Sequence, residues 1–175
     1  GSRARDGTYR AHVTATFANG DIVESRSSRL VLDTVAPRVD PSASYLLFSP
    51  NGDGRKDTFT VMQESSTEER WIATITNQAG DEITGQEWSG RAGSFRWDGR
   101  DQLGNVVSDG SYTYTIEATD AAGNHTSESI GPIRVDTRVV SAVTSFSGTG
   151  FSPNNDDYRE TMDINLFASP IEEIA

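Results

Sequence analysis

Apolar and polar residues alternate with a period of two wherever this chain is regular. Tyr112, Tyr114, Ile116 and Ala118 interleave with Thr113, Thr115, Glu117 and Thr119, which predicts a strand with one buried face. Tyr9, Ala11, Val13 and Ala15 repeat the alternation. Runs of β-branched and aromatic residues predict further strands at 30–32, 44–47, 58–62, 70–76, 82–88, 94–97 and 133–135. Turn residues punctuate them at 18–20, 77–80, 99–105, Asp109-Gly110 and 121–124, where glycine admits positive φ and Asn or Asp bonds its own backbone. No segment of useful length carries the helical period, so the expectation is an all-β, antiparallel fold.

The pattern also recurs at long range. A shift of 103 positions lays Phe48-Ser49-Pro50-Asn51 on Phe151-Ser152-Pro153-Asn154, Asp53 on Asp156, Asp6-Gly7 and Tyr9 on Asp109-Gly110 and Tyr112, and Asp33-Thr34 on Asp136-Thr137, without a gap. A period of that size predicts a tandem array, and it matches the roughly 100 residues of an immunoglobulin-type sandwich. The expected fold is therefore an antiparallel Ig-like β-sandwich in tandem repeats with a period of 103 residues. Positions 34–136 form one complete repeat, 1–33 the C-terminal part of a preceding one and 137–175 the N-terminal part of a following one. Gly1-Ser2 reads as a tag remnant. The junction at 31–37 holds no glycine and ends in Pro37, which predicts a short, stiff linker and repeats set end to end. The two partial repeats are expected to leave strand edges and apolar faces open, and so to self-associate or cover one another.

Composition narrows the function. With 26 acidic against 15 basic residues the net charge is -11, which opposes binding to phosphate backbones and anionic lipid, so nucleic acid is not an expected partner. Cysteine is absent, which removes disulfides, thiolate metal sites and thiol nucleophiles. No apolar stretch approaches the roughly 20 residues of a membrane span, so no membrane insertion is expected of this stretch.

The segment from Phe48 to Asp57, Phe-Ser-Pro-Asn-Gly-Asp-Gly-Arg-Lys-Asp, is the best candidate site. Asn51, Asp53 and Asp57 offer hard oxygen ligands, the Arg55 backbone carbonyl a fourth, and two glycines let the loop curl, a combination suited to Ca²⁺. The later copy keeps oxygen-bearing side chains at Asn154, Asp156 and Glu160 but loses both glycines. The competing reading is a polar turn whose Asn and Asp side chains bond nearby amides. It is not an EF-hand, because Arg55 stands at the fifth position.

A second group of motifs follows: Phe95-Arg96-Trp97-Asp98-Gly99-Arg100-Asp101, Gly104-Asn105, Asp109-Gly110-Ser111-Tyr112-Thr113-Tyr114 and Asp120-Ala121-Ala122-Gly123-Asn124. These resemble the FlgD-like immunoglobulin-fold repeats of exported and surface bacterial proteins and of the flagellar hook-capping protein. The Ser-Pro-Asn-Gly-Asp-Gly loop is similar to the opening of β-sandwich modules near the C-termini of many secreted bacterial proteins. The resemblance implies an Ig-like sandwich in an extracytoplasmic multidomain protein, without catalytic activity. From the residues alone, Tyr112 and Tyr9 fit a tyrosine corner. Phe95 and Trp97 fit the core, and Asp98 and Asp101 the bracing of the next loop. Core packing is preferred over a carbohydrate platform for Trp88 and Trp97.

Catalytic readings find no support. His12 and His125 do not coincide under the 103-residue shift and have no partner at metal-ligand spacing. No nucleophile elbow, phosphate-binding glycine loop or zinc-protease motif occurs. The expected function is a non-enzymatic structural spacer and interaction module of a secreted, surface or periplasmic bacterial protein, stiffened by calcium. The alternatives are a glycan- or protein-binding adhesin module and an assembly scaffold resembling the hook-capping protein. Expected partners are neighbouring repeats of the same protein and, for an adhesin, a protein or glycan ligand.

Overall fold

Strands and turns account for all of the secondary structure in the computed structural model, which describes residues 4–139 and 141–168; no helix occurs among them. Gly1-Ser2 and the end of the last predicted partial repeat, 169–175, lie outside the described residues. The chain divides into two units, Gly1–Asp136 and Thr137–Ala175, and each is described by itself.

The first unit opens with four short strands, β1 (Gly7–Tyr9), β2 (His12–Thr16), β3 (Ile22–Arg26) and β4 (Leu30–Leu32). They form two antiparallel ladders, β1 with β4 and β2 with β3. Eight strands follow: β5 (Val39–Ala43), β6 (Leu47–Phe48), β7 (Phe59–Ser65), β8 (Glu68–Asn77), β9 (Glu82–Gly90), β10 (Phe95–Trp97), β11 (Gly110–Thr119) and β12 (His125–Val135). They make a three-stranded sheet in the order β10-β7-β5 and a five-stranded sheet in the order β6-β12-β11-β8-β9. Neighbours are antiparallel except β6, which lies parallel to the end of β12.

The predicted alternation supplies the core. Tyr112, Tyr114, Ile116 and Ala118 of β11 are all buried, as are Trp71, Ala73 and Ile75 of β8 and Ile133 and Val135 of β12. They meet Phe59 and Val61 of β7 and Phe95 and Trp97 of β10 in one cluster fed by both sheets. Aromatic rings tile its middle: Phe48 and Trp97 lie 5.3 Å apart, Trp97 and Tyr112 5.1 Å, Phe95 and Tyr114 5.0 Å. Such tilted pairs add to area burial. Tyr112 donates its hydroxyl to the Ser108 carbonyl at 2.7 Å, and Tyr9 likewise to Arg5, so both make the expected corner bond back to the backbone.

Three sequence expectations need correction. The strand predicted at 44–47 is present only at Leu47, in β6; 44–46 links β5 to β6, and Pro41 sits inside β5. β5 is an edge strand, where a missing N–H leaves no ladder bond unmade. The strand predicted through Tyr9 to Ala15 breaks into β1 and β2. It does so where β11 carries a register irregularity between Tyr112 and Tyr114. The strand predicted at 133–135 starts at His125, because an exposed first half with few apolar residues gives no alternation to read.

The second unit contains β13 (Ala142–Phe146) and β14 (Ile164–Ala168), paired antiparallel. Its side chains are largely exposed.

One loop design closes several hairpins. Asp101 and Asp120 each receive a backbone N–H from the Asn four residues on, at 2.8 and 2.9 Å, and that residue's side-chain amide at 3.1 and 2.8 Å. Gly104 and Gly123 take positive φ, 85° and 91°, so that the chain can close. Hydrogen bonds from Asn105 and Asn124, chiefly their side-chain amides, hold the two carboxyls below the usual carboxylate range. A depressed folded-state value means that the stabilisation is complete above the ordinary carboxyl range and is lost as pH falls through the folded value. Side-chain amide resonances of Asn105 and Asn124 are therefore expected to titrate with midpoints below that of a free aspartate; midpoints at or above about 4 would contradict the bracing.

Candidate functional site

The loop 49–57 is built around its own amides. Ser49 donates its N–H to the Lys56 carbonyl at 2.9 Å and closes the loop, while Asn51 donates to the Ser49 carbonyl at 2.8 Å. The Asp57 carboxylate receives the N–H groups of Gly52 at 2.8 Å and Gly54 at 2.7 Å. Asp53 accepts from the Arg55 N–H at 2.8 Å and Asn51 from the Asp53 N–H at 3.0 Å. Asn51, Asp53 and Asp57 thus share one loop, as predicted, with their oxygens turned onto backbone donors.

Each carboxylate oxygen keeps a further lone pair. A cation in this loop would compete with N–H groups and with the charges of Arg55 and Lys56. Lys56 Nζ lies 5.3 Å from the centre of the Tyr45 ring. No group of three or more His, Cys, Asp or Glu side chains is arranged to hold a metal among the described residues.

The equivalent loop of the second unit has the same backbone plan. Ser152 donates to the Arg159 carbonyl at 2.8 Å and Asn154 to Ser152 at 2.9 Å. Asp156 accepts from the Tyr158 N–H, and Glu160 accepts from the Asp156 N–H at 2.8 Å. Positive φ falls at Gly52, Gly54 and Lys56 in the first loop and at Asn155, Asp157 and Arg159 in the second, each displaced by 103 positions. Asn154, Asp156 and Glu160 are therefore placed as their counterparts are, without the glycines that make the conformation inexpensive.

A second site was not found from the sequence. The linker 33–37 is held from both sides. Asp6 accepts the Thr34 N–H at 3.1 Å and its hydroxyl at 3.0 Å. Asp33 accepts the Val35 N–H at 3.0 Å. From the turn between β11 and β12, Asn124 donates its amide to the Asp33 carbonyl at 3.2 Å and Thr126 its hydroxyl to the Pro37 carbonyl at 2.5 Å. Pro37 itself is buried. Asp120 positions Asn124 for this, since the same amide nitrogen bonds both Asp120 and Asp33. The signal available in the sequence was the recurrence of Asp6 at Asp109 and of Asp33-Thr34 at Asp136-Thr137.

The remaining candidates separate cleanly. Trp97 is buried and donates its indole N–H to the Arg100 carbonyl at 2.8 Å, so it offers no platform to a ligand. Trp88 is half-buried, lies opposite Trp71 and packs against the core, whereas the Arg70–Glu87 ion pair closes at 2.8 and 2.5 Å on the other, open face of β8 and β9. His12 faces Glu24 at 3.3 Å and His125 faces Thr119 at 3.1 Å, both on exposed ladder positions.

Together these features make an all-β unit with hydrogen-bonded turns, a polar loop closed on its own amides and a clamped linker. Residues 43–132 match the CHU_C type IX secretion signal domain. The chain belongs to that family, and it is accordingly part of a secreted or cell-surface bacterial protein. It is also similar to C5a peptidase of Streptococcus pyogenes serotypes M18 and M1, in each case 32% identical over 93 residues. That similarity covers 43% of this chain and 8% of those proteins, so the chain spans a small fraction of the curated relatives it matches.

Gly99 ties the polar loop to the core. At φ 74° a Cβ there would lie 2.5 Å from Pro50 Cγ and 3.6 Å from Phe48. Gly99→Ala is expected to destabilise the first unit by about 3 kcal/mol, from backbone strain plus overpacking; urea unfolding with a midpoint equal to wild type would refute the contact.

Proposed function

We propose that the chain is a non-enzymatic spacer and interaction stretch of an exported multidomain protein, built from Ig-like sandwiches of the FlgD-like type that repeat every 103 residues. The observation that carries this reading is the linker clamp: a stretch between strands that is bonded by Asp6 on one side and by Asn124 and Thr126 on the other transmits orientation instead of acting as a tether.

The ladder registers support the repeat. Adding 103 to both members of the β1–β4 pairs Gly7↔Leu32 and Tyr9↔Leu30 gives the β11–β12 pairs Gly110↔Val135 and Tyr112↔Ile133. The same addition turns His12↔Arg26 into Thr115↔Ser129, and Val39↔Ser65 into Ala142↔Ala168. A displacement that preserves pairing as well as residues is what duplication of a folding unit leaves behind.

Calcium belongs to the same reading as a stiffener of the 51–57 loop. It would be held by Asn51, Asp53 and Asp57 and the Arg55 carbonyl after the loop amides yield. The alternative, display of a surface for a glycan or protein, would use the open face of β8 and β9 that carries Arg70 and Glu87.

Two measurements test the proposal. Asp6→Ala combined with Thr126→Val is expected to raise proteolytic cleavage within 33–37 several-fold while the melting of the 34–136 region changes little; cleavage at the wild-type rate would remove the stiff joint. Millimolar calcium is expected to raise the melting temperature, and Asp53→Ala to abolish the rise; an unchanged melting temperature in wild type would remove the cation.

A further inference from the structure

The five-stranded sheet ends on a long free edge. β9 has a ladder partner only on its β8 side and runs for 9 residues, whereas the opposite edge, β6, has 2. In the facing sheet the edges are β10, with 3 residues, and β5, which carries Pro41. Alternate residues of an edge strand turn both backbone groups away from the sheet, where they can pair with a further strand. Among the described residues the loop 101–105 covers this side of β9 only at Ile83, whose carbonyl accepts the Gln102 N–H at 3.1 Å. From Thr84 to Ser89 the edge is open, and it holds neither proline nor lysine, the residues that commonly block such pairing.

The outer face beside that edge is hollow. Gly85 stands opposite Thr74, and with no side chain there a cavity of about 320 Å³ opens over β8, flanked by Glu82 and Glu87 of β9. Position 85 cannot fill it, since a Cβ would lie 2.7 Å from the Ala73 carbonyl oxygen. Two further hollows adjoin it at Arg70, one lined by Glu69 and the other by Glu117. The three together hold four carboxylates, Glu69, Glu82, Glu87 and Glu117, against the guanidinium of Arg70, which is already paired with Glu87. Edge carboxylates also deter pairing, and here they decide which strand is deterred. A second copy of this chain, pairing antiparallel through β9, would bring its own Glu82 and Glu87 onto the same face, where like charges repel.

We infer that β9 takes up an extended basic peptide as an added strand, its main chain bonded along Thr84–Ser89 and a lysine or arginine side chain seated over Gly85 between Glu82 and Glu87. Alternate side chains of such a strand project onto one face, so basic residues at every second position meet the carboxylates. Main-chain pairing supplies the affinity, and the acidic face selects the partner. This rests on the display reading of the open β8–β9 face given above and names its partner.

The test titrates the full chain with a short peptide of alternating lysine and threonine and with its glutamate–threonine counterpart, read by amide chemical shifts and hydrogen exchange. The lysine peptide is expected to bind several-fold more tightly, to shift the resonances of 84–89 and to slow amide exchange in that stretch several-fold. Glu82 is exposed and stands outside the Arg70–Glu87 pair, so Glu82→Lys is expected to weaken binding several-fold while the 34–136 melting transition stays in place. Equal affinity for the two peptides, shifts confined to another face, unaltered exchange at 84–89, or wild-type binding by Glu82→Lys would overturn the inference. A neutral glycan that shifts the Arg70 and Glu87 resonances where the lysine peptide does not would keep the display reading and overturn the peptide partner. The joint and calcium tests read the linker and the 51–57 loop, so their outcomes are independent of this one.

Discussion

Burial of one face of the strands of the two central sheets, with every polar atom dragged inward given a partner, is the constraint on which the 34–136 region depends. Tyr114 shows how it is met. Its ring is fully buried between the sheets, and its hydroxyl donates to Gln63 Oε1, while the Gln63 amide donates onward to the Gly93 carbonyl. Burial pushes the phenol well above its ordinary range, so it remains a neutral donor. No buried side-chain nitrogen or oxygen among the described residues lacks a partner. An unpartnered group there would cost about 1–3 kcal/mol, a sizeable part of a domain's margin.

Long alternating strands were legible because both of their neighbours demand the same thing of them. β11 lies between β12 and β8 and packs on the other sheet, so every second residue had to be large and apolar. β5 and the first half of β12 escaped, since an edge strand with Pro41 and a ladder segment with an exposed face impose no such demand. The loop residues Asn51, Asp53 and Asp57 were legible as a group, but sequence could not decide between amides and a cation as their partners. That depends on where the N–H groups point. Pro37 and the lack of glycine pointed to a stiff joint, but the bonds that hold it were illegible for a different reason: Asn124 and Asp33 are 91 positions apart, and nothing local to either residue announces the bond.

The two polar loops separate backbone design from residue choice. Three alternate positions hold positive φ in both, yet two of them are glycine in the first and none in the second. Asn155 and Asp157 tolerate that region because their short side chains can bond locally. Arg159 and Lys56 have no such help, and both precede the acidic residue that accepts from within the loop, Glu160 and Asp57. The two carboxylates take different amides, Gly52 and Gly54 in one loop and Asp156 in the other, so what the loops share is the closing bond from Ser49 to Lys56 and from Ser152 to Arg159, and the glycines lower its cost in one copy only.

The joint inherits its geometry from the turn that supplies Asn124. Asp120 fixes that side chain by accepting from its amide, and the same amide reaches the Asp33 carbonyl, so turn and linker are coupled through one nitrogen. Protonating Asp120 weakens the acceptor that positions Asn124, and the linker contact then relies on the Thr126 hydroxyl and on Asp6. No added interface is needed for this: the hydrogen bonds that close the β11–β12 hairpin also restrain the segment leading into it.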